Sequence, residues 1–206
     1  MGVKRSSVVA FLLAAVLLGV FISVNYWLDY NDSGQVIDPL AVAETEHLPA
    51  SLAGKGKTLT IHDFESGDLL DTSLHLASFG YRGRQSLKMN ASVPFSPGLW
   101  MKFKDIDQSR PGWIRVTGFV WFSCQPSEVK CSLVATCNHN GVNYKYMFVP
   151  LELKNLKQNQ WNGVSIDYAI PEAPDQEDVL QAYFWYRGNG EMLVDDIVVE
   201  LYKENP

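Results

Sequence analysis

Near its C-terminal end the chain reads GEMLVDDIVVELY, residues 190–202, and two adjacent acids, Asp195 and Asp196, interrupt what is otherwise an apolar strand. Period-2 counting sets Asp195 on one face with Leu193, Ile197, Val199 and Leu201, and Asp196 on the other. A carboxylate turned toward a core is costly unless it is neutralised, hydrogen-bonded or bound to a metal. Asp195 therefore requires a partner from elsewhere in the chain.

Catalysis needs a constellation, and the sequence offers none. His47, His62, His75 and His139 are scattered without ligand spacing, and there is no nucleophile elbow, phosphate-cradling loop or metalloprotease helix. Acids are plentiful, yet nothing pairs any two of them across a cleft as a glycosidase would require. Cys124, Cys131 and Cys137 have spacings of the wrong length for zinc. Two readings of them stand: a Cys124–Cys131 bond across a hairpin loop QPSEVK, or three partly buried thiols. The formal net charge of −6, with no Lys/Arg cluster after the N-terminal segment, excludes the electrostatic footprint of a nucleic-acid binder.

Aromatic side chains are the remaining candidates, because a ring on a solvent-facing strand can stack on the apolar face of a ligand while nearby polar groups orient it. On WIRVTGFVWFS, alternation groups Trp121 with the more polar face of Trp113, Arg115, Thr117 and Phe119. Tyr144 and Tyr146 share a face with Phe148, and Tyr183 and Trp185 share one with Arg187. The candidate ligand-binding set is Trp121, Tyr144, Tyr146, Trp185 and Arg187. Packing competes for every one of these rings, since β-sandwiches fill their cores with such residues. Trp161 and Tyr168 are assigned to the scaffold.

The elements that would position these residues fall into three segments. Lys4 and Arg5 precede an apolar run from Val8 that continues to Leu28, long enough to span a bilayer, and Asp29 and Asp32 follow it. Residues 1–30 therefore read as an uncleaved signal anchor, a single transmembrane helix of the cytoplasmic (inner) membrane. The positive-inside rule sends the rest to the periplasmic or extracellular side. Residues 31–57 mix Gly, Pro, Ser and acids without periodicity and read as a flexible tether. From 58 to 206, nine short runs rich in β-branched and aromatic residues alternate with turn signals, which predicts an all-β, antiparallel β-sandwich domain. The strands are expected at 58–65, 85–91, 100–106, 113–123, 130–138, 143–153, 161–170, 180–188 and 191–202. Asn140-Gly141 and Asn189-Gly190 both read as tight hairpin turns.

Taken in order, HDFESG, GYRGRQSLKM, SPGLWMKF, WIRVTGFVWF and the long segment from NQWNGVSIDY to VDDIVVELY resemble a known family. It is the galactose-binding-like β-sandwich, or jelly roll, of carbohydrate-binding modules and related exported domains of Bacteroidetes-type bacteria. The resemblance covers about residues 58–203. It implies a non-catalytic domain that binds a glycan, or one that has lost its sugar site and docks an envelope protein. It also implies a structural calcium ion held by Glu65, the Gly83 to Ser86 loop and Asp195, tying the first and last strands together. Hydrogen bonds from backbone N–H groups, or from Arg82 or Arg84, would satisfy Asp195 equally well.

Overall fold

The computed structural model describes residues 46–65, 75–106 and 112–203. The expected anchor, and the tether up to residue 45, lie outside the described residues. Among the described residues no helix is long and apolar enough to cross a membrane.

Ten strands form two antiparallel sheets. β1 (Lys57–His62), β2 (Leu76–Ala77), β3 (Ser86–Met89), β5 (Gly112–Trp121), β8 (Asn162–Ile170) and β10 (Met192–Lys203) make the larger sheet. β4 (Leu99–Lys102), β6 (Cys131–His139), β7 (Val142–Pro150) and β9 (Val179–Tyr186) make the smaller, in the order β4-β9-β6-β7. All nine runs read from the sequence are strands. Only β2, two residues long, gave no periodic signal.

The alternation of each strand builds the core. β5 alternates buried and half-buried residues along its whole length, turning Ile114, Val116 and Val120 inward. β9 does the same with Leu180, Ala182, Phe184 and Tyr186. Those two inner faces, with Tyr168, Phe103, Phe122 and Leu133, close into one apolar cluster. Burial on this scale is the main force holding the sheets together.

Two turn expectations separate here. Asn140 and Gly141 have φ of 49° and 86°, so they form the tight hairpin between β6 and β7 that such a dipeptide favours. Asn189-Gly190 has no positive φ and joins β9 to β10, which belong to different sheets, so it is a crossing bend instead of a hairpin. The segment 122–130 likewise crosses between sheets, with a short 3-10 turn at Pro126–Glu128. Cys124 and Cys131 are therefore not hairpin partners, and all three cysteines are free thiols.

Part of the stretch expected as tether is attached to the sandwich. Glu46 accepts a hydrogen bond from the Ala169 N–H and pairs with Lys145 at 2.7 Å, and the Leu48 N–H donates to Asp167 at 2.9 Å. Leu52 is buried.

Candidate functional site

β10 is the central strand of the larger sheet, and its two acids sit where its pairing changes. One edge pairs first with β3, over residues 192–194, and then with β1, over residues 197–201. On the other edge the register with β5 slips by one residue between Asp195 and Val198, a β-bulge in which Asp196 takes φ of 47°. The bulge corrects the face assigned to Asp195. Residues after it (Ile197, Val199, Leu201) point to the core, but Asp195 lies opposite Phe119 and so on the outer face. It is nonetheless only 1% exposed, because the segment leading into β3 folds over it.

That segment satisfies the carboxylate with backbone donors. The Tyr81 N–H donates to Asp195 Oδ2 at 2.6 Å and the Asp196 N–H to Oδ1 at 2.7 Å. Burial pushes the Asp195 carboxyl above its ordinary range, and these N–H groups pull it part of the way back. Glu65 plays the same part just after β1, accepting from the Arg84 and Gln85 N–H groups at 2.6 Å each. Ser86 Oγ donates to the Phe79 carbonyl, and a Cβ at Gly83 would fall 2.5 Å from the Glu65 carboxyl carbon. A calcium site would need this loop to turn carbonyl oxygens toward the two carboxylates. It turns N–H groups of Tyr81, Arg84 and Gln85 toward them instead. Among the described residues no group of three or more His, Cys, Asp or Glu is placed to hold a metal.

The five candidate ligand-binding residues divide among three places. Trp121 is on the outer face of the larger sheet, as alternation predicted, but it is packed. Phe79 meets it edge-on at 5.5 Å and stacks on Trp161 at 5.6 Å, while Tyr81 lies on Phe119 at 3.6 Å. Tyr144 falls at a second bulge, between Cys137 and Asn138 of β6, which separates it from Tyr146 and packs it against the core. Tyr146, Trp185 and Arg187 share the outer side of the smaller sheet. Register fixes this arrangement: Trp185 pairs with Ser132 and Ser132 with Pro150, while Tyr146 pairs with Thr136.

Beside Trp185 the sequence reading missed a partner. Phe95 precedes β4 and forms an isolated bridge with Trp185, their rings 6.3 Å apart and 15° from parallel. It is 53% exposed, and Trp100 on β4 is 62% exposed. Between them the chain presses against β9 so closely that a Cβ at Gly98 would lie 1.9 Å from the Ala182 carbonyl oxygen. The only sequence signal for this was SPG ahead of Trp100; Phe95 itself lies outside any periodic run. The result is a groove of about 410 Å³ lined by Phe95, Ser96, Gly98, Trp100, Gln181 and Tyr183 among others, with no acidic residue in its lining.

Charged groups close both ends of this face. At one end Lys102 and Lys104 each bind one oxygen of Glu177, at 2.7 and 2.6 Å, and hold its carboxyl down to about 2. At the other, the Arg187 guanidinium lies 4.3 Å above the Trp185 ring and donates to Ser132 Oγ at 2.8 Å. Counting 3.4 Å per residue along β9, the row from Gln181 to Arg187 runs about 20 Å. Elsewhere His139 Nδ1 meets the buried Asp178 at 2.5 Å. Burial pushes the nearby Cys137 thiol up, with the Tyr168 hydroxyl opposing it through a hydrogen bond.

No protein-family model matches the chain, and no curated protein matches it. Solved structures overlap it at the level of the fold. The CBM22-1 xylan-binding domain of Paenibacillus barcinonensis Xyn10C is 18% identical, with 73% of this chain and 97% of that one covered at a TM-score of 0.47. A family 16 carbohydrate-binding module is 13% identical over 63% of this chain and 87% of its own, at 0.38. A module of Cellvibrio mixtus lichenase 5A in complex with cellotriose is 10% identical over 72% of this chain and all of its own, at 0.36. These three are carbohydrate-binding modules; a cyclase from Fischerella sp. TAU and an α-L-arabinofuranosidase also overlap the chain, at TM-scores of 0.36 and 0.39.

Proposed function

We propose that this is a non-catalytic glycan-binding module, held at the cytoplasmic membrane by its N-terminal segment and facing the periplasm or exterior, and that it binds along the outer face of the smaller sheet. The observation that supports this most is the groove beside β9. Phe95 and Trp100 are left more than half exposed in its lining, with Tyr183 and the Gln181 amide beside them. Exposed rings in a row with a hydrogen-bonding amide between them suit the alternating apolar and hydroxyl-bearing surfaces of a sugar chain. The length of about 20 Å along β9 favours an oligomer over a single ring. The groove's lining has no carboxylate, so it lacks the pair that glycoside hydrolysis requires.

A glycan array tests this reading with the full-length chain, kept in a detergent without a sugar head group. Selective binding to one class of sugar chain, lost on Trp100→Ala, is the expected result. Uniform absence of binding, with the chain folded, would remove the proposal and leave docking to another envelope protein as the alternative.

A further inference from the structure

We infer that the glycan is anionic, with its negative group received by Arg187; this rests on the glycan reading above and names the class of chain bound. The outer side of the smaller sheet differs in charge from the molecule as a whole. The chain carries a formal net charge of −6, yet the outer side of the smaller sheet presents Lys102, Lys104 and Arg187, with Glu177 paired to the two lysines and Glu152 near Arg187 without an ion pair to it. Both oxygens of the Glu177 carboxylate are already taken by the two lysines.

Arg187 is the cation left over. It is exposed, and no ion pair joins it to any acid among the described residues. Glu152 bears on the same buried Cys131 thiol as Arg187 does, but forms no ion pair with it. The guanidinium is nevertheless held in place. Trp185 supports it from below, and Ser132, itself fully buried, accepts one hydrogen bond. A guanidinium has five N–H donors, and Ser132 takes one of them. Such a fork, fixed in orientation and unneutralised, matches the two oxygens of a carboxylate or a sulfate.

Its position serves the groove. Trp185 underlies Arg187 on one side and adjoins Phe95 on the other, and Phe95 lines the groove. A sugar chain running over Phe95, whose ring meets Tyr183 edge-on at 5.7 Å, would therefore bring a neighbouring substituent toward the guanidinium. The Trp185 ring supports the arginine, and the exposed rings of Phe95 and Trp100 face outward in the groove lining.

The test is a set of titrations of the full-length chain, in a detergent without a sugar head group, against paired probes. One pair is oligogalacturonate and neutral xylohexaose; the other is dextran sulfate and dextran. Tighter binding of the anionic member by tenfold or more is expected. The pair showing the larger margin distinguishes carboxylate from sulfate. Arg187→Met, which keeps an apolar stem on Trp185, should erase that margin, read as the ratio of anionic to neutral affinity, and Arg187→Lys should restore part of it. Raising salt should narrow the margin in the wild type only. Neutral probes that bind as tightly as anionic ones would overturn the inference and leave the glycan reading standing. Failure of every probe to bind would overturn both.

Discussion

The two outer faces of the sandwich hold similar residues and treat them oppositely. On the larger sheet, Phe119, Trp121 and Trp161 are joined by Phe79 and Tyr81 from the segment between β2 and β3, and ring meets ring at 3.6 to 6.0 Å. On the smaller sheet, Phe95, Trp100 and Tyr183 lie beside a groove that no described segment covers. One connection folded across a sheet therefore half-covers a row of rings, with Phe79 and Tyr81 stacked on them and themselves 46% and 36% exposed. Where it is missing, a similar row remains a platform. Asp195 fixes the difference, since its carboxylate receives the Tyr81 N–H and so fastens that connection down.

The largest effect expected from breaking this contrast is on the covered side. Asp195→Ala strands the buried Tyr81 and Asp196 N–H groups, and urea denaturation should show a loss of about 2–3 kcal/mol. Glycan binding by the molecules that remain folded should be unchanged. On the open side, Trp100→Ala should weaken glycan binding about tenfold or more. Its melting temperature should stay near that of the wild type, because the ring is 62% exposed. Trp121→Ala should do the converse, losing about 1–2 kcal/mol of stability with binding intact.

A smaller effect is expected in acid. Burial alone would push the Asp167 carboxyl up, but two hydrogen bonds from Arg115 and one from the Leu48 N–H hold it below the ordinary range. A depressed carboxyl contributes stability above its unfolded value, about 3.9, and loses that contribution as pH falls through its lower folded value. Acid titration of the melting temperature should therefore fall less steeply for Asp167→Asn than for the wild type. No effect at all is expected from excess chelator, since backbone N–H groups already satisfy Asp195 and Glu65. A drop in melting temperature on chelation would restore the calcium that the family resemblance implied.

β5, β8 and β9 were legible because they present period-2 burial, as β5 does without a break, while β6 was legible as a continuous run of buried residues bounded by turns. The features that were missed all depend on a departure from that period. One extra residue at Asp195–Asp196 moved the acid to the opposite face, and another on β7, Tyr144 itself, opposite Cys137 and Asn138, took it off the face it was expected to share with Tyr146. Alternation counts residues and cannot register an insertion of one. Asn189-Gly190 has hairpin composition but joins strands of different sheets, which is a property of the topology. Alternation on single strands grouped Tyr146, Trp185 and Arg187 on the outer side of the smaller sheet, but none of the three lines the groove. Phe95 does, and alternation missed it because its place comes from a bridge to a strand 90 residues later in the chain.

The most direct measurement is calorimetric titration of wild type, Trp100→Ala and Trp121→Ala with the glycan that the array selects. Binding lost in Trp100→Ala and kept in Trp121→Ala is what the open groove beside β9 predicts. Binding kept in Trp100→Ala and lost in a folded Trp121→Ala would put the ligand on the other sheet and contradict the account.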